Sequence, residues 1–252
     1  MFNLAGRTAV VTGASTGLGQ AIAVALTKAG ARVAITNRSE PSLSLDETAA
    51  LCAAQGAAPT TRTIDVRDLA QITTGVATIT AELGPIDILV NNAGINRPRP
   101  GLEVGVDEWD DHFNTNVRGG FFCAQAVAPT MIERGFGRVI FISSQSGLVG
   151  IPGQPVYCAT KGAIVNLVRT LGVEWAQHGI TVNSVAPTFV ETNLTRERLQ
   201  QPEFRAFVLG KIPSGRLATP EEIAHAVVYL ASDEAAMVNC VTLPVDGGWT
   251  AW

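Results

Sequence analysis

The sequence predicts an α/β protein built on a doubly wound, seven-stranded parallel sheet with helices on both faces. Three observations predict it. Short β-branched or apolar runs alternate with helix-forming segments along all 252 residues, the pattern of repeated βαβ units. A glycine-rich bend, Gly13-Ala14-Ser15-Thr16-Gly17-Leu18-Gly19, lies between the first strand-like run and the first helical run. Glycine at such a bend lets the backbone approach a pyrophosphate held at a helix N-terminus. The apolar run 86–90 ends in Asn91-Asn92-Ala93-Gly94, and small polar residues at the C-terminal end of a parallel strand are where open α/β sheets take ligands. No linker or break in composition divides the chain, so one domain is expected over 1–252.

Taken in order, residues 8–12 give the first strand, 20–28 the first helix, closed by Gly30, and 32–36 the second strand. The glycine spacing is G-x-x-x-G-x-G rather than G-x-G-x-x-G. The second strand ends at Thr36-Asn37-Arg38. An acid near this point bonds a ribose 2′-hydroxyl, whereas an arginine holds a 2′-phosphate. Positions 36 and 37 carry no acid and Arg38 is at hand, which favours NADP and leaves NAD possible; Asn37 can bond either group. A polar loop with Pro41 leads to a helix over 46–54, stopped at Gly56. Residues 60–66 form the third strand, ending in Asp65-Val66. A helix over 68–83 stops at Gly84-Pro85, and 86–90 is the fourth strand, of the buried parallel type.

The helical stretch 106–134 is long for one helix. Asn114, Asn116, Gly119 and Gly120 interrupt it and predict a kink near Asn116. Asparagine is unfavourable in mid-helix, so Asn116 is expected to have a task. Residues 138–142 are the fifth strand, 157 to about 177 a helix, and 180–185 the sixth strand. An irregular polar segment with helical patches, about 187–213, is the expected substrate loop. Thr219 caps a helix over 220–231 with Pro220 at its first position, and 241–245 is the seventh strand. The whole is a Rossmann-type arrangement.

Composition narrows the function classes. Hydrophobic residues make up 46% and charged residues 16%, which argues against disorder. A net charge of −4 with no long basic run offers nucleic acid no footprint. No apolar run approaches the roughly 20 residues of a membrane span, and the N-terminus lacks a signal-peptide layout; a cytoplasmic protein is expected. Cys52, Cys123, Cys158 and Cys240 form no C-x-x-C pair and read as buried free thiols. His112, His178 and His225 are dispersed and suggest no metal site.

The chemistry centres on 144–161. Tyr157 and Lys161 are four apart, so both leave the same face of a helix. An ammonium beside a phenol favours the phenolate and is expected to lower a tyrosine pKa that is ordinarily about 10. A tyrosine so tuned is an acid or base near neutral pH. Ser144 follows the apolar run 139–142, where a buried strand ends and a loop opens. The pair alone fits a half-buried tyrosine and a solvated lysine better than a catalytic couple; the surrounding motifs decide between the two.

The glycine loop, Asn91-Asn92-Ala93-Gly94, Ser144 and Tyr157-x-x-x-Lys161, in this order on one α/β chain, resemble the short-chain dehydrogenase/reductase family over essentially the whole length. The resemblance implies an NAD(P)-dependent oxidoreductase interconverting a secondary alcohol and a ketone. It implies that Asn116, Ser144, Tyr157 and Lys161 are catalytic. Tyr157 would exchange a proton with the substrate oxygen, and Lys161 would tune it and bond the nicotinamide ribose. Ser144 would polarise the substrate oxygen, and Asn116 would hold a water beside Lys161. Cofactor contacts are implied at Gly13, Ser15, Thr16, Gly17, Leu18 and Gly19, at Asn37 and Arg38, and at Asp65 and Val66 beside adenine. They are further implied at Asn91, Asn92, Ala93 and Gly94, at Tyr157 and Lys161, and at Pro187 and Thr192. One position departs: Thr188 stands where the family usually has glycine, and threonine adopts positive φ less easily.

Trp109-Asp110-Asp111 and Asp246-Gly247-Gly248-Trp249 bring the chain nearest to the family's sugar-acid branch. The substrate is therefore expected to be a sugar acid, sugar or polyol. Ser144, Gln145, Gln154 and Tyr157 are its expected contacts, and Arg97, with Arg99 nearby, the cation for a carboxylate. A 3-oxoacyl-thioester reductase is the alternative within enzymes and would need a basic mouth for an acidic carrier protein. A dinucleotide-sensing protein without catalysis is the alternative outside them, which the intact tetrad disfavours. The resemblance also implies a homotetramer joined through helices over 105–134 and 157–177 and the last strand, with Phe121, Phe122, Leu167 and Val168 compatible. Trp249 and Trp252 would pack in an interface or edge a neighbour's pocket.

Overall fold

The computed structural model describes residues 2–193 and 195–251. Its strands are β1 (Thr8–Thr12), β2 (Arg32–Asn37), β3 (Thr60–Thr63), β4 (Ile88–Asn91), β5 (Gly137–Ile142), β6 (Ile180–Pro187) and β7 (Thr242–Val245). They form one seven-stranded sheet in the order β3-β2-β1-β4-β5-β6-β7, and every pairing is parallel. The helices are α1 (Gly17–Lys28), α2 (Asp46–Ala53), α3 (Leu69–Leu83), α4 (Val106–Phe113), α5 (Gly120–Arg134), α6 (Pro155–Trp175), α7 (Arg196–Leu199), α8 (Pro202–Lys211) and α9 (Pro220–Ala231). None of them is long and apolar enough to cross a membrane.

The two-residue period of the strands builds two cores. Ala9, Val11, Ile88, Val90, Ile140 and Ile142 point to one face and pack against Ile22 and Leu26 of α1 and Ile223 and Val227 of α9. Val10, Leu89, Val139 and Phe141 point to the other and meet Ile79 of α3, Val127 and Met131 of α5, and Ile164 and Val168 of α6. Because both faces are covered, β1, β4 and β5 are buried along their whole lengths and read in sequence as unbroken apolar runs. Strand order reverses at β1, which has β2 on one side and β4 on the other. Such a switch point opens a crevice at the C-terminal edge of the sheet.

Several boundaries differ from the expected ones for local reasons. Helix α1 starts at Gly17, so the end of the glycine bend is its first turn. Thr16 precedes it in extended conformation, and no side chain caps the helix. Edge strand β3 stops at Thr63: its ladder to β2 ends with Asn37, and beyond it the Asp65 N–H donates to Gln71 Oε1 and the Arg67 N–H to Asp65 Oδ1. The helical stretch 106–134 is two helices joined by a π-helical turn, Asn114–Gly119, at the interruption expected near Asn116. Helix α6 starts at Pro155, which needs no partner for a missing N–H at the first position. Thr219 caps α9 as expected, in a capping box with Glu222.

A third cluster of Ile151, Leu199, Val208, Ile212 and Trp249 anchors α7 and α8. Trp249 is 6% exposed and packs on Phe189 and Phe207 of its own chain. The expectation that it faces a neighbour is thereby corrected, and Trp252 lies outside the described residues. Val168 belongs to the second core, whereas Phe121, Phe122 and Leu167 are only partly buried against it. Of the four free cysteines, Cys52 and Cys123 are buried and Cys158 and Cys240 half-buried.

Candidate active site

The glycine bend is held by the end of β4. Asn92 donates its side-chain amide to the carbonyls of Thr12 (3.0 Å) and Gly13 (2.8 Å). The backbone N–H groups of Asn92 and Ala93 both donate to Thr12 Oγ1 at 3.1 Å. The close approach explains two glycines. A Cβ on Gly13, where φ is +64, would lie 2.7 Å from Ala93 Cα. A Cβ on Gly19 would lie 2.3 Å from Gly13 O and 2.5 Å from Asn92 Nδ2.

This cradle is one end of a cleft of about 440 Å³ at the C-terminal edge of the sheet. Gly13, Ser15, Thr16, Gly17, Leu18 and Gly19 line it, as do Asn37, Arg38, Asp65 and Val66. Asn92, Ala93 and Gly94 follow, then Ser144, Tyr157, Lys161, Pro187 and Thr192. The residues present fit a dinucleotide. The α1 N-terminus carries no acidic residue in its first turn and no side-chain cap, so its free N–H groups favour an anion. The buried hydroxyls of Thr115 and Thr188 line the cleft with no partner among the described residues, an arrangement that calls for a ligand or water.

Tyr157 and Lys161 share one face of α6, with Lys161 Nζ 5.5 Å from the Tyr157 ring centre. Lys161 is buried and donates to Ile142 O at the end of β5 (2.7 Å). Burial pushes the Tyr157 phenol up to about 12, against the pull of the Ser144 hydroxyl beside it. Burial also brings Lys161 down to about 8. This corrects the expectation that Lys161 lowers the tyrosine's pKa. In this geometry the cost of burying charge is the largest influence on each group, and the phenol stays protonated at neutral pH.

Lys161 has a testable consequence. Its folded pKa of about 8 lies below its ordinary 10.5. Between those values the unfolded chain holds a proton that the folded chain has lost, so stability rises with pH; below about 8 the whole cost is present. At about 1.36 kcal/mol per pKa unit, the wild type is expected to gain on the order of 3 kcal/mol relative to Lys161→Met between pH 8 and 10.5. Urea unfolding of both proteins at pH 7, 8, 9 and 10 measures it, and a constant difference would mean that Lys161 keeps its ordinary pKa.

Asn116 sits in the π-turn and uses its side chain as a clasp. Its Oδ1 accepts from Ile95 N (2.8 Å), and its Nδ2 donates to Ile95 O (2.9 Å) and to Thr160 Oγ1 (3.1 Å). The π-turn, a common functional distortion of helices, thus ties the loop after β4 to α6. A Cβ on Gly94 would lie 3.3 Å from Asn116 Oδ1 and 3.7 Å from Lys161 Nζ, so these two groups flank that glycine.

Some expected residues are not among those lining the cleft. Asn91 is buried, and neither polar atom of its side chain has a partner among the described residues. Gln145 is buried and accepts from Ser144 Oγ at 2.8 Å. Gln154 is buried and accepts from Asn96 Nδ2 at 2.9 Å. Arg97 lines a separate surface depression, where Asp111 holds its guanidinium at 2.6 Å; Arg99 is likewise held by Glu108. Arg38 does line the cleft, but its guanidinium is bonded to Glu40. Thr188 needs no unusual backbone: among the described non-glycine residues only Cys240 has positive φ, and Thr188 N donates to Val245 O (3.2 Å).

Sequence reasoning missed Arg67, Thr115, Ser143 and Asn193, which also line the cleft. It also missed His112, a buried ring whose Nε2 accepts from Arg97 N (3.1 Å) while Nδ1 bonds Glu108 O (2.7 Å). The positions of Arg67 and Thr115 beside foreseen residues were the only signal available; His112 had none.

Comparison with known proteins agrees with this geometry. The family model described as Enoyl-(Acyl carrier protein) reductase matches residues 13–250. Gluconate 5-dehydrogenase of Gluconobacter oxydans (strain 621H) is 40% identical over 250 residues, covering 99% of this chain and 97% of that protein. The 3-oxoacyl-[acyl-carrier-protein] reductase of Escherichia coli (strain K12) is 42% identical over 246 residues, covering 98% of each. The crystal structure of a gluconate 5-dehydrogenase from Burkholderia cenocepacia J2315, in complex with NADP and tartrate, superposes with a TM-score of 0.94 at 37% identity, covering 100% of this chain and 98% of that one. The chain belongs to the short-chain dehydrogenase/reductase family. It is an NAD(P)-dependent oxidoreductase of the alcohol dehydrogenase/reductase type.

Proposed function

We propose that this protein interconverts a secondary alcohol and a ketone on a sugar acid, sugar or polyol, with NADP(H) as its preferred cofactor. The reading rests on one observation above the others: Tyr157, Lys161 and Ser144 line the same cleft as the glycine cradle. When bound, the nicotinamide supplies or accepts the hydride. The chain's own residues handle the proton. Tyr157, protonated at neutral pH, donates from its phenolic oxygen to the substrate oxygen during reduction and takes the proton back during oxidation. Ser144 hydrogen-bonds the same substrate oxygen and holds it toward Tyr157. Lys161 bonds the nicotinamide ribose, and Asn116 fixes the loop after β4 against α6. Thr188 and Thr192 close the cleft on the β6 side.

The NADP preference is supported by Arg38, by the lack of an acid at 36 and 37, and by NADP in the Burkholderia relative. The sugar-acid reading is supported by the gluconate dehydrogenases among the relatives. A 3-oxoacyl-thioester reductase is the second reading, because the E. coli reductase is as similar overall. It is disfavoured because Arg97 and Arg99 are neutralised by Asp111 and Glu108, which leaves little attraction for an acidic carrier. Exposed Leu102, Val106 and Trp109 on and before α4 support the proposal that copies associate there into a tetramer.

The test is nicotinamide absorbance with gluconate, 5-ketogluconate, threitol and acetoacetyl-coenzyme A, each with both cofactors. Turnover of a sugar acid or polyol with NADP(H) ahead of NAD(H) is expected. Faster reduction of the thioester than of any sugar substrate would overturn the substrate reading, and equal use of both cofactors would overturn the preference.

A further inference from the structure

At the adenosine end of the cleft, two cations line the wall among the described residues, Arg38 and Arg67. They are held differently. Arg67 is fixed from two sides, by Asp65 (2.7 Å) and Asp111 (3.1 Å). Among the described residues Arg38 is ion-paired to one acid, Glu40. Its Nε donates to Glu40 Oε2 at 2.8 Å, and Nη2 lies 2.6 Å from the same oxygen. Ser42 Oγ donates to the other oxygen, Glu40 Oε1, at 3.0 Å. Asn37 is occupied in shaping the turn, accepting from Arg38 N at 2.9 Å. The Ser42 hydroxyl and the Arg38 guanidinium hold the Glu40 carboxyl below the usual carboxylate range, so it is charged at neutral pH.

We infer that Glu40 is an internal competitor for Arg38: its carboxylate occupies the guanidinium edge that a 2′-phosphate would take, and so sets how strongly the site separates NADPH from NADH. The inference rests on the proposed NADP preference. A carboxylate and a phosphate both seek the same fork of N–H donors, and a guanidinium edge already bonded to one must release it to accept the other. The pair is half-exposed, so releasing it costs little, but an ionised carboxylate left beside a phosphate repels it. Both effects weaken NADPH and leave NADH, which has no phosphate there, nearly untouched. Glu40 is thus a specificity-determining residue that acts through Arg38.

The test measures dissociation constants of NADPH, NADH and 2′,5′-ADP by fluorescence titration of the purified full chain. The variants are Glu40→Gln, Arg38→Ala and the double substitution. Glu40→Gln is expected to tighten NADPH and 2′,5′-ADP by about three- to five-fold, the upper size of an exposed charge interaction, and to change NADH by less than about two-fold. In the Arg38→Ala background that gain should vanish. If Arg38→Ala weakens NADPH while Glu40→Gln leaves it unchanged, the competitor role alone falls. If Arg38→Ala spares NADPH, the NADP reading and the competitor role fall together. If Glu40→Gln instead weakens NADH, Glu40 is a ligand of the ribose hydroxyl and the inference is overturned.

Discussion

Replacing Tyr157 by phenylalanine is expected to lower turnover by about 10³-fold, within the range that general acid–base groups contribute. The substitution removes one oxygen and keeps the ring that packs between Ser144 and Lys161. No charge is lost at neutral pH, because burial keeps the phenol protonated. The cleft, the glycine cradle and the Lys161–Ile142 bond should all persist. Cofactor affinity should fall by no more than about ten-fold, the worth of one neutral hydrogen bond. Single-turnover absorbance reports the hydride step and fluorescence titration reports binding. Activity within a few-fold of wild type would assign the proton transfer to another group.

The second large effect is structural. Gly19→Ala should destabilise the chain by about 2–3 kcal/mol and abolish measurable cofactor binding. The added methyl would fall 2.3 Å from Gly13 O, 2.5 Å from Asn92 Nδ2 and 2.9 Å from Ala14 Cα. Two of these are backbone atoms and the third belongs to the amide that stitches the bend to β4, so the clash cannot be relieved by one flexible side chain. At this chain length the loss corresponds to a fall in the unfolding temperature of roughly 4–12 °C. Gly150→Ala is the control. Gly150 is exposed, with nothing within 4 Å of an added Cβ, and the change should stay within about 0.5 kcal/mol. Equal behaviour of the two variants would show that the bend tolerates a side chain.

Much of this site was legible in the residues because the relevant signals are local. The β-branched and apolar runs 8–12 and 86–90 are properties of neighbouring residues. In the strands they form, Val11 and Val90 go to one core and Val10 and Leu89 to the other. The glycine bend, the small residues after β4 and the four-residue spacing of Tyr157 and Lys161 are equally local, and each reaches the cleft. Gln145, Gln154 and Arg97 are not among the residues lining that cleft, for the opposite reason. Their neighbourhood in sequence is polar and close to Tyr157 or β4, but their partners are chosen in space: the hydroxyl of Ser144, the amide of Asn96 and the carboxylate of Asp111. Propensity marked the interruption of 106–134 near Asn116, but that it takes the form of a π-turn was decided in space, where Asn116 bonds Ile95 across the fold.

The sequence by itself determined the parallel sheet, its crevice, the glycine cradle and the membership of Tyr157, Lys161 and Ser144 in one site. Apolar runs, glycine placement and helical spacing act over a few residues, and a linear chain displays them directly. Only the tertiary structure decided the electrostatics of that site. It set Tyr157 and Lys161 by burial rather than by their mutual charge, gave Arg38 to Glu40 and Arg97 to Asp111, and turned Trp249 inward. Desolvation and ion pairing depend on which groups share a volume, and that is fixed only when separate segments of the chain are brought together.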